Sequence, residues 1–334
     1  KRINHKAITA DYGTSSIDET PYAMKVAAHF GNTLEPVRID ASSALNGLEG
    51  DLNVFEEVYL SAPSPMIALY RKMKEQGITV SLDGHGADEL MGGYKGTAPI
   101  GLFGAFPQVS NMRNLLLAED RSNDRPDDWL KRSELRVLQQ VFKHGSKLGM
   151  NAYGTIRTIL HDRSLEGLHK PLKHALYEAF HDYTLPTLLR NYDHYSMAAS
   201  VESRMPFLDH RVVSYSFSLP VTSYFHDGWS KAPIRAMYAK ELPAEISYRR
   251  RKIGFNTPFH EWLKDDQWKA FIQDTIHSES FLTCPIHDGR KQKASLEKDL
   301  QRLASMSMDF LEGVDVWNKL APYFWYAYFY RKNA

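Results

Sequence analysis

Ile8, Ala10 and Tyr12 alternate with polar neighbours, a period of two that predicts a strand, and Gly13-Thr14-Ser15-Ser16 ends the run. Tyr22, Ala23, Val26, Ala27 and Phe30 then recur at helical spacing, with Gly31 as the stop. A second extended segment, residues 33–40, sets Leu34, Val37 and Ile39 among polar positions; Pro36 has no N–H to donate, which predicts a place near a sheet edge. A helix is expected from about Ser43 to Tyr59. Another opens at Pro65 with Met66, Leu69, Tyr70 and Met73 on one face and closes at Gly77. Ile78-Thr79-Val80-Ser81-Leu82 is β-rich and has the character of a buried parallel strand. Strand, helix, strand in this order predicts an α/β layer, because parallel strands need crossover helices.

Beyond about residue 105 the strand signals fade. Helical patterns cover 129–142, 172–190, 230–240 and 296–310, broken by polar segments such as 119–128. The expected organisation is an α/β layer over residues 1–104 and a mostly helical remainder, 105–334, of the same domain. No internal repeat or low-complexity tract is evident, so a solenoid is not expected.

Composition narrows the function classes. Forty-one Lys and Arg against 40 Asp and Glu leave a net charge of +1 over 334 residues, so no excess field draws the chain to nucleic acid or an anionic membrane. No run approaches the roughly 20 apolar residues that span a bilayer. Neither nucleic acid nor membrane is an expected partner. Cys284 is the single cysteine and cannot close an intramolecular disulfide, which favours a reducing, cytoplasmic setting.

Three blocks carry candidate chemistry. The first, Asp83-Gly84-His85-Gly86-Ala87-Asp88-Glu89-Leu90-Met91-Gly92-Gly93-Tyr94, follows the third strand, and ligands of open parallel sheets collect beyond the carboxyl ends of strands. His85 offers a titratable base and Asp88 an anionic partner for a metal or a hydrogen bond. A plain glycine turn whose Asp88 or Glu89 caps the next helix is the competing reading. Glu89 stands where a dinucleotide fingerprint needs its third glycine, no Walker-type phosphate loop occurs, and His260-Glu261 lacks the second histidine of a zinc protease and reads as surface helix.

The second block, Leu188 to Asp209, interleaves charged and small apolar residues as a helix with one polar face would. Asp193 is its functional candidate, while Glu202 and Arg204 read as a structural ion pair. The third block, Tyr248 to Pro258, sets Arg249-Arg250-Arg251-Lys252 before Gly254. Such a run is either a solvated loop or a phosphate clamp. Lys252 is the residue suited to meet developing negative charge on a polyphosphate leaving group.

Taken in this order, the blocks resemble the synthetase domain of glutamine-dependent asparagine synthetases and their relatives. Members look like Ser-Gly-Glu-Gly-Ala-Asp-Glu followed by Gly-Gly-Tyr, then Ser-Met-Ala-x-Ser-x-Glu-x-Arg-x-Pro-Phe-Leu-Asp, then Lys-x-Gly-Phe; here these are Asp83 to Tyr94, Ser196 to Asp209 and Lys252 to Phe255. Weaker similarity extends across nearly the whole chain, including Asp18-Glu19 before the first helix and the stretch from Lys231 to Arg235 before Leu242-Pro243.

The resemblance implies a parallel sheet of the adenine nucleotide alpha hydrolase (ATP pyrophosphatase) type. It also implies an amide ligase that uses ATP and Mg2+: a carboxylate attacks the α-phosphate, pyrophosphate leaves, and ammonia displaces AMP from the acyl-adenylate. By the same resemblance Asp83 and Gly84 hold the adenylate through backbone contacts, and Tyr12 contacts adenine. Asp88 associates with magnesium and pyrophosphate, and Lys252 with the phosphates. Asp193 and Arg190 line the carboxylate pocket. Aspartate is the default substrate; another carboxylate, such as a uronic acid or a peptide, is the alternative, and a nucleotide-binding remnant without turnover is a third reading. Whether the chain forms a homodimer is left open.

The sequence departs from the family pattern in three ways. The Ser-Gly-Gly-x-Asp-Ser phosphate loop expected just upstream of Ile8 does not occur in it. A glutaminase domain with its nucleophilic cysteine does not occur either, so ammonia is expected from a domain or subunit outside this chain, or from solution. His85 stands where asparagine synthetases carry Glu and β-lactam synthetases Tyr, at a position that faces the acyl group and incoming nucleophile; a neutral imidazole there can act as general base near pH 7.

Overall fold

A computed structural model describes residues 5–54, 57–58, 61–101, 109–124, 171–305 and 308–331. The helix expected at 129–142 lies outside them. The fold is mixed α/β, mostly helical, with small parallel sheets. The chain forms two compact units, Lys1–Ser81 with Asn191–Ser203 and Ile253–Ala334, and Leu82–Arg190 with Arg204–Lys252.

In the first unit, β1 (Ala7–Asp11) pairs in parallel with β2 (Leu34–Arg38), joined through helix α1 (Thr20–His29). Pro36 sits in register with Thr9 on a strand whose partner is β1, where a missing N–H is tolerated. Helix α2 (Ala41–Val54) is shorter than the periodicity predicts, and α3 (Ser64–Glu75) follows, with Pro65 in its first turn. The core is aromatic: Trp262, Trp268, Phe281, Trp317 and Phe324 are buried with Leu48 and Leu320. Burying a large ring removes about 150–250 Å² from water, a gross gain of roughly 4–6 kcal/mol each before entropy is charged against it. The Trp268 indole N–H is satisfied by the Ala41 carbonyl at 2.8 Å. The 296–310 pattern resolves into two helices, Gly289–Ser305 and Phe310–Phe324, the latter opened by an Asp309/Glu312 capping box.

In the second unit, helix α4 (Ala87–Met91), α5 (Thr97–Ile100) and the helices Val109–Ser122, Pro171–His181 and His210–Ser218 surround Leu90, Met112, Leu115, Leu172, Tyr224 and Phe225. Ser216 Oγ donates to the Leu90 carbonyl and Tyr224 Oη to the Ser216 carbonyl, so both of these buried hydroxyls are paired. The 119–128 break is not where the pattern puts it, because helix Val109–Ser122 carries on through Glu119. The single pattern over 172–190 becomes Pro171–His181 and Thr184–Ala198, interrupted at Asp182-Tyr183.

Strand β3 (Val80–Leu82) runs beside β4 (Glu202–Arg204) in the same direction, with Glu202 N–H on the Thr79 carbonyl and Asp83 N–H on the Arg204 carbonyl. The expectation of a buried strand is corrected here. Val80 is 38% and Leu82 68% exposed. Among the described residues β3 pairs with β4 alone, and the exposure of Val80 and Leu82 shows that the face they share is uncovered; an apolar β-rich run reports propensity rather than the number of layers above it.

Candidate active site

The Asp83–Tyr94 turn begins where β3 stops. Asp83 Oδ1 accepts the His85 backbone N–H at 3.1 Å, an Asx turn, and also contacts His85 Nδ1. A carboxylate on Nδ1 fixes the proton of the neutral ring there and turns Nε2 into the acceptor. Gly84 is exposed, and a Cβ built on it meets nothing within 4 Å, so the turn leaves room beside its backbone. Gly86 has φ +95°, and a Cβ there would stand 2.5 Å from Leu208 Cδ2; both demands select glycine. Gly86 precedes α4, which has no side-chain cap, so Asp88 and Glu89 do not serve as caps.

Asp88 is held by two lysines. Lys231 Nζ lies 2.7 Å from Oδ1 and Lys252 Nζ 3.0 Å from Oδ2, with the three side chains 24%, 23% and 20% exposed in the order Lys231, Lys252, Asp88. Burial raises the Asp88 pKa, but the two ammonium groups outweigh it and hold the carboxyl below its usual range. For Lys231 the balance is opposite: burial dominates, its one carboxylate is shared, and Lys252 repels it, so its pKa is pushed down. Each carboxylate oxygen thus has a cation, while each cation has half a carboxylate. Such a site carries surplus positive charge suited to a polyanion. The Lys252 ammonium also stands 5.8 Å from the Tyr94 ring, and Tyr94 Oη donates to the buried Glu89 carboxylate.

Lys231 is the residue that sequence reasoning passed over, although the 231–235 stretch was part of the weaker similarity. It adopts φ +52°, a left-handed conformation that costs a non-glycine residue about 1–2 kcal/mol, and heads helix Ala232–Tyr238. Its carbonyl accepts Arg235 N–H, while its side chain reaches Asp88 rather than capping the helix.

The remaining sequence candidates are placed as follows. Tyr12 follows β1 in the first unit, 8% exposed within the aromatic core, and its hydroxyl has no hydrogen-bond partner among the described residues. Asp193 is exposed on helix Thr184–Ala198, in the first unit; Arg190 is exposed on the same helix, in the second. The surface reading of His260 is corrected. It is 6% exposed on the short helix Phe259–Trp262, with Gly313 packed so closely that a Cβ there would come 2.6 Å from His260 Cβ.

Among the described residues no group of three or more His, Cys, Asp or Glu side chains gathers as a metal site, and no helix is long and apolar enough to cross a membrane. With each Asp88 oxygen on a lysine ammonium, a magnesium ion would reach this carboxylate only by displacing a lysine, with its other positions taken by phosphate oxygens and water.

Over 257 residues, 77% of this chain and 39% of the relative, the sequence is 26% identical to "Asparagine synthetase [glutamine-hydrolyzing] 3" of Bacillus subtilis. Over 298 residues, 83% of this chain and 46% of the relative, it is 22% identical to "Asparagine synthetase [glutamine-hydrolyzing] 1" of the same organism. A Saccharomyces cerevisiae protein named "Asparagine synthetase [glutamine-hydrolyzing] 1" is 28% identical over 136 residues, 39% of this chain and 24% of the relative. The chain thus spans less than half the length of these curated relatives. The family description Asparagine synthase matches residues 2–317, nearly the whole sequence, and the chain belongs to that family.

Proposed function

We propose that this chain is the synthetase portion of an ATP-dependent amide ligase that activates a carboxylate as its acyl-adenylate and passes ammonia to it, with aspartate as the default substrate. The observation that carries the reading is the meeting of Lys231 and Lys252 on Asp88 directly after the glycine turn. In this reading Lys252 and Lys231 receive the negative charge of departing pyrophosphate, and Asp88 keeps them poised until it arrives. Magnesium, carried with the polyphosphate and touching Asp88, would neutralise phosphate charge. The backbone of Asp83 and Gly84 lies along the adenylate, where the open space at Gly84 favours it. Tyr12 contacts adenine, and Asp193 with Arg190 recognises the carboxylate substrate. His85 Nε2, its ring set by Asp83, takes a proton as the amine attacks the acyl carbon and AMP leaves. Ammonia is supplied by a glutaminase domain or subunit, or from solution.

The test is aspartate-dependent release of AMP and pyrophosphate by protein containing this chain, with ammonia supplied. Release is expected, and its loss in Lys252→Ala; no stimulation by aspartate refutes that substrate, and near-normal release by Lys252→Ala refutes the role given to the lysine. The Asp83–His85 pair favours a second reading, the same chemistry on another carboxylate, because the residue facing the acyl group differs from the family's. Stimulation by a uronic acid or a peptide carboxylate in place of aspartate would select it.

A further inference from the structure

Outside the residues already assigned, the second unit contains a stack of cations on an indole. Arg121 Cζ lies 4.4 Å and Arg235 Cζ 5.1 Å from the centre of the Trp229 ring, with Tyr248 5.5 Å from it. Guanidinium groups repel one another, and burial together with Arg249 and Arg121 weighs against the charge of Arg235. Guanidinium does not give up its proton, so the repulsion is sustained by what the stack holds together.

The hydrogen bonds say what that is. Arg235 Nε donates to the Ser230 carbonyl at 2.7 Å, one residue before Lys231, and its Nη1 donates to the Ser247 carbonyl, five residues before Lys252. Arg121 Nη1 donates to the Asp227 carbonyl at 2.6 Å, and the next residue, Ser122, offers its carbonyl to the Lys252 N–H at 3.2 Å. Asp227 and Gly228 both have positive φ, between His226 and Trp229, which exchange both backbone hydrogen bonds; this is the tight turn that Asp-Gly favours. One guanidinium therefore ties the segment ending in Lys231 to the segment ending in Lys252, and the end of helix Val109–Ser122 anchors both.

We propose that Arg235 is a positioning residue. It fixes the spacing of the Lys231 and Lys252 ammonium groups so that a pyrophosphate group meets both at once. This inference rests on the proposed function, since it takes those lysines as the polyphosphate site.

The experiment is calorimetric titration of the chain with inorganic pyrophosphate, for the unaltered protein, Arg235→Met, Arg235→Lys, Lys252→Ala and the double variant Arg235→Met/Lys252→Ala, each checked by thermal melting. The expected result is binding by the unaltered protein and about tenfold weaker binding by Arg235→Met, within the coupling range of contacting residues. Arg235→Lys should stay weak, because it keeps the charge but cannot hold both carbonyls. In the Lys252→Ala background, Arg235→Met should cost less than about twofold, since there is no longer a second ammonium to align. The same loss with and without Lys252, or full rescue by lysine, overturns positioning and leaves only structure or charge. Should Arg235→Met fail to fold, Arg235→Lys carries the same comparison alone and in the Lys252→Ala background. No binding by the unaltered protein overturns the pyrophosphate reading, and this proposal with it.

Discussion

Lys252 Nζ stands 3.0 Å from Asp88 Oδ2 although 164 positions separate the two residues along the chain. The cationic run and the glycine turn therefore meet through the fold, and Lys231 completes the meeting from a third segment. Two cations on one carboxylate is an arrangement with an electrostatic consequence for stability as well as for binding.

Asp88→Asn removes the charge that Lys231 and Lys252 share and leaves two ammonium groups facing each other. Removing one partner of a buried ion pair costs about 3–5 kcal/mol, and the partial exposure of all three side chains puts the expected loss near the lower end. The folded pKa of Asp88 is lowered, so its contribution is complete above the unfolded value of about 3.9 and is lost as pH falls through the lower folded value. The melting-temperature gap between the two proteins should be level from about pH 5 to 8 and should close in stronger acid. A gap unchanged at acid pH contradicts the ion pairs.

Gly93→Ala tests the same cluster sterically. A Cβ on Gly93 would run into Asp88 Oδ1 and come 2.8 Å from Lys231 Cε, so Asp88 must swing off its lysine to admit it. Overpacking of this kind costs about 1–3 kcal/mol, and pyrophosphate binding should weaken in parallel. Gly84→Ala is the contrast. Nothing stands within 4 Å of that Cβ, so stability should hold within about 0.5 kcal/mol, while the KM for ATP rises because the methyl group occupies the room given to the adenylate. Melting temperatures and KM values measured together separate the two outcomes.

Much of this was legible from residue types. The glycine turn after β3, Asp88 and Lys252 stood out because each supplies a charge or a backbone freedom that phosphate chemistry needs. What sequence could not supply was pairing at a distance. Lys231 is an ordinary lysine before Ala-Pro until its left-handed backbone and its contact with Asp88 are seen. Nor does local periodicity report what lies over a strand: Val80 and Leu82 have the composition of a buried strand and are exposed. His260 shows the reverse, since its burial is set by Gly313, some fifty residues away along the chain.

The Asp83–His85 contact separates the two halves of the proposed reaction. Carboxylate activation needs no base for ammonia, whereas attack on the acyl-adenylate releases protons. His85→Gln should leave ATP–pyrophosphate exchange close to the unaltered rate and lower amide formation about a hundredfold, the lower bound usual for a positioned general base. Asp83→Asn keeps an oxygen that can accept from the His85 backbone but loses the charge that orients the His85 ring, so it should lower amide formation while exchange persists. Equal losses in both assays would place His85 in nucleotide binding instead.

Tyr12 combines a buried ring with a hydroxyl that has no partner among the described residues. An unsatisfied buried polar group costs about 1–3 kcal/mol, so Tyr12→Phe should hold or raise the melting temperature at neutral pH. Burial, with Asp18 and Glu19 adding to it, pushes the phenol pKa up. The folded protein therefore keeps a proton that the unfolded chain releases above about pH 10, and stability falls by about 1.4 kcal/mol per pH unit beyond that point. Tyr12→Phe lacks this slope. Urea unfolding between pH 9 and 11 should show the two proteins diverging, with the phenylalanine variant the more stable in alkali; parallel curves would mean that the hydroxyl finds a partner or reaches water. If the ring also contacts adenine, the KM for ATP is held in Tyr12→Phe and raised in Tyr12→Ala, because stacking on a base uses the aromatic face and not the hydroxyl.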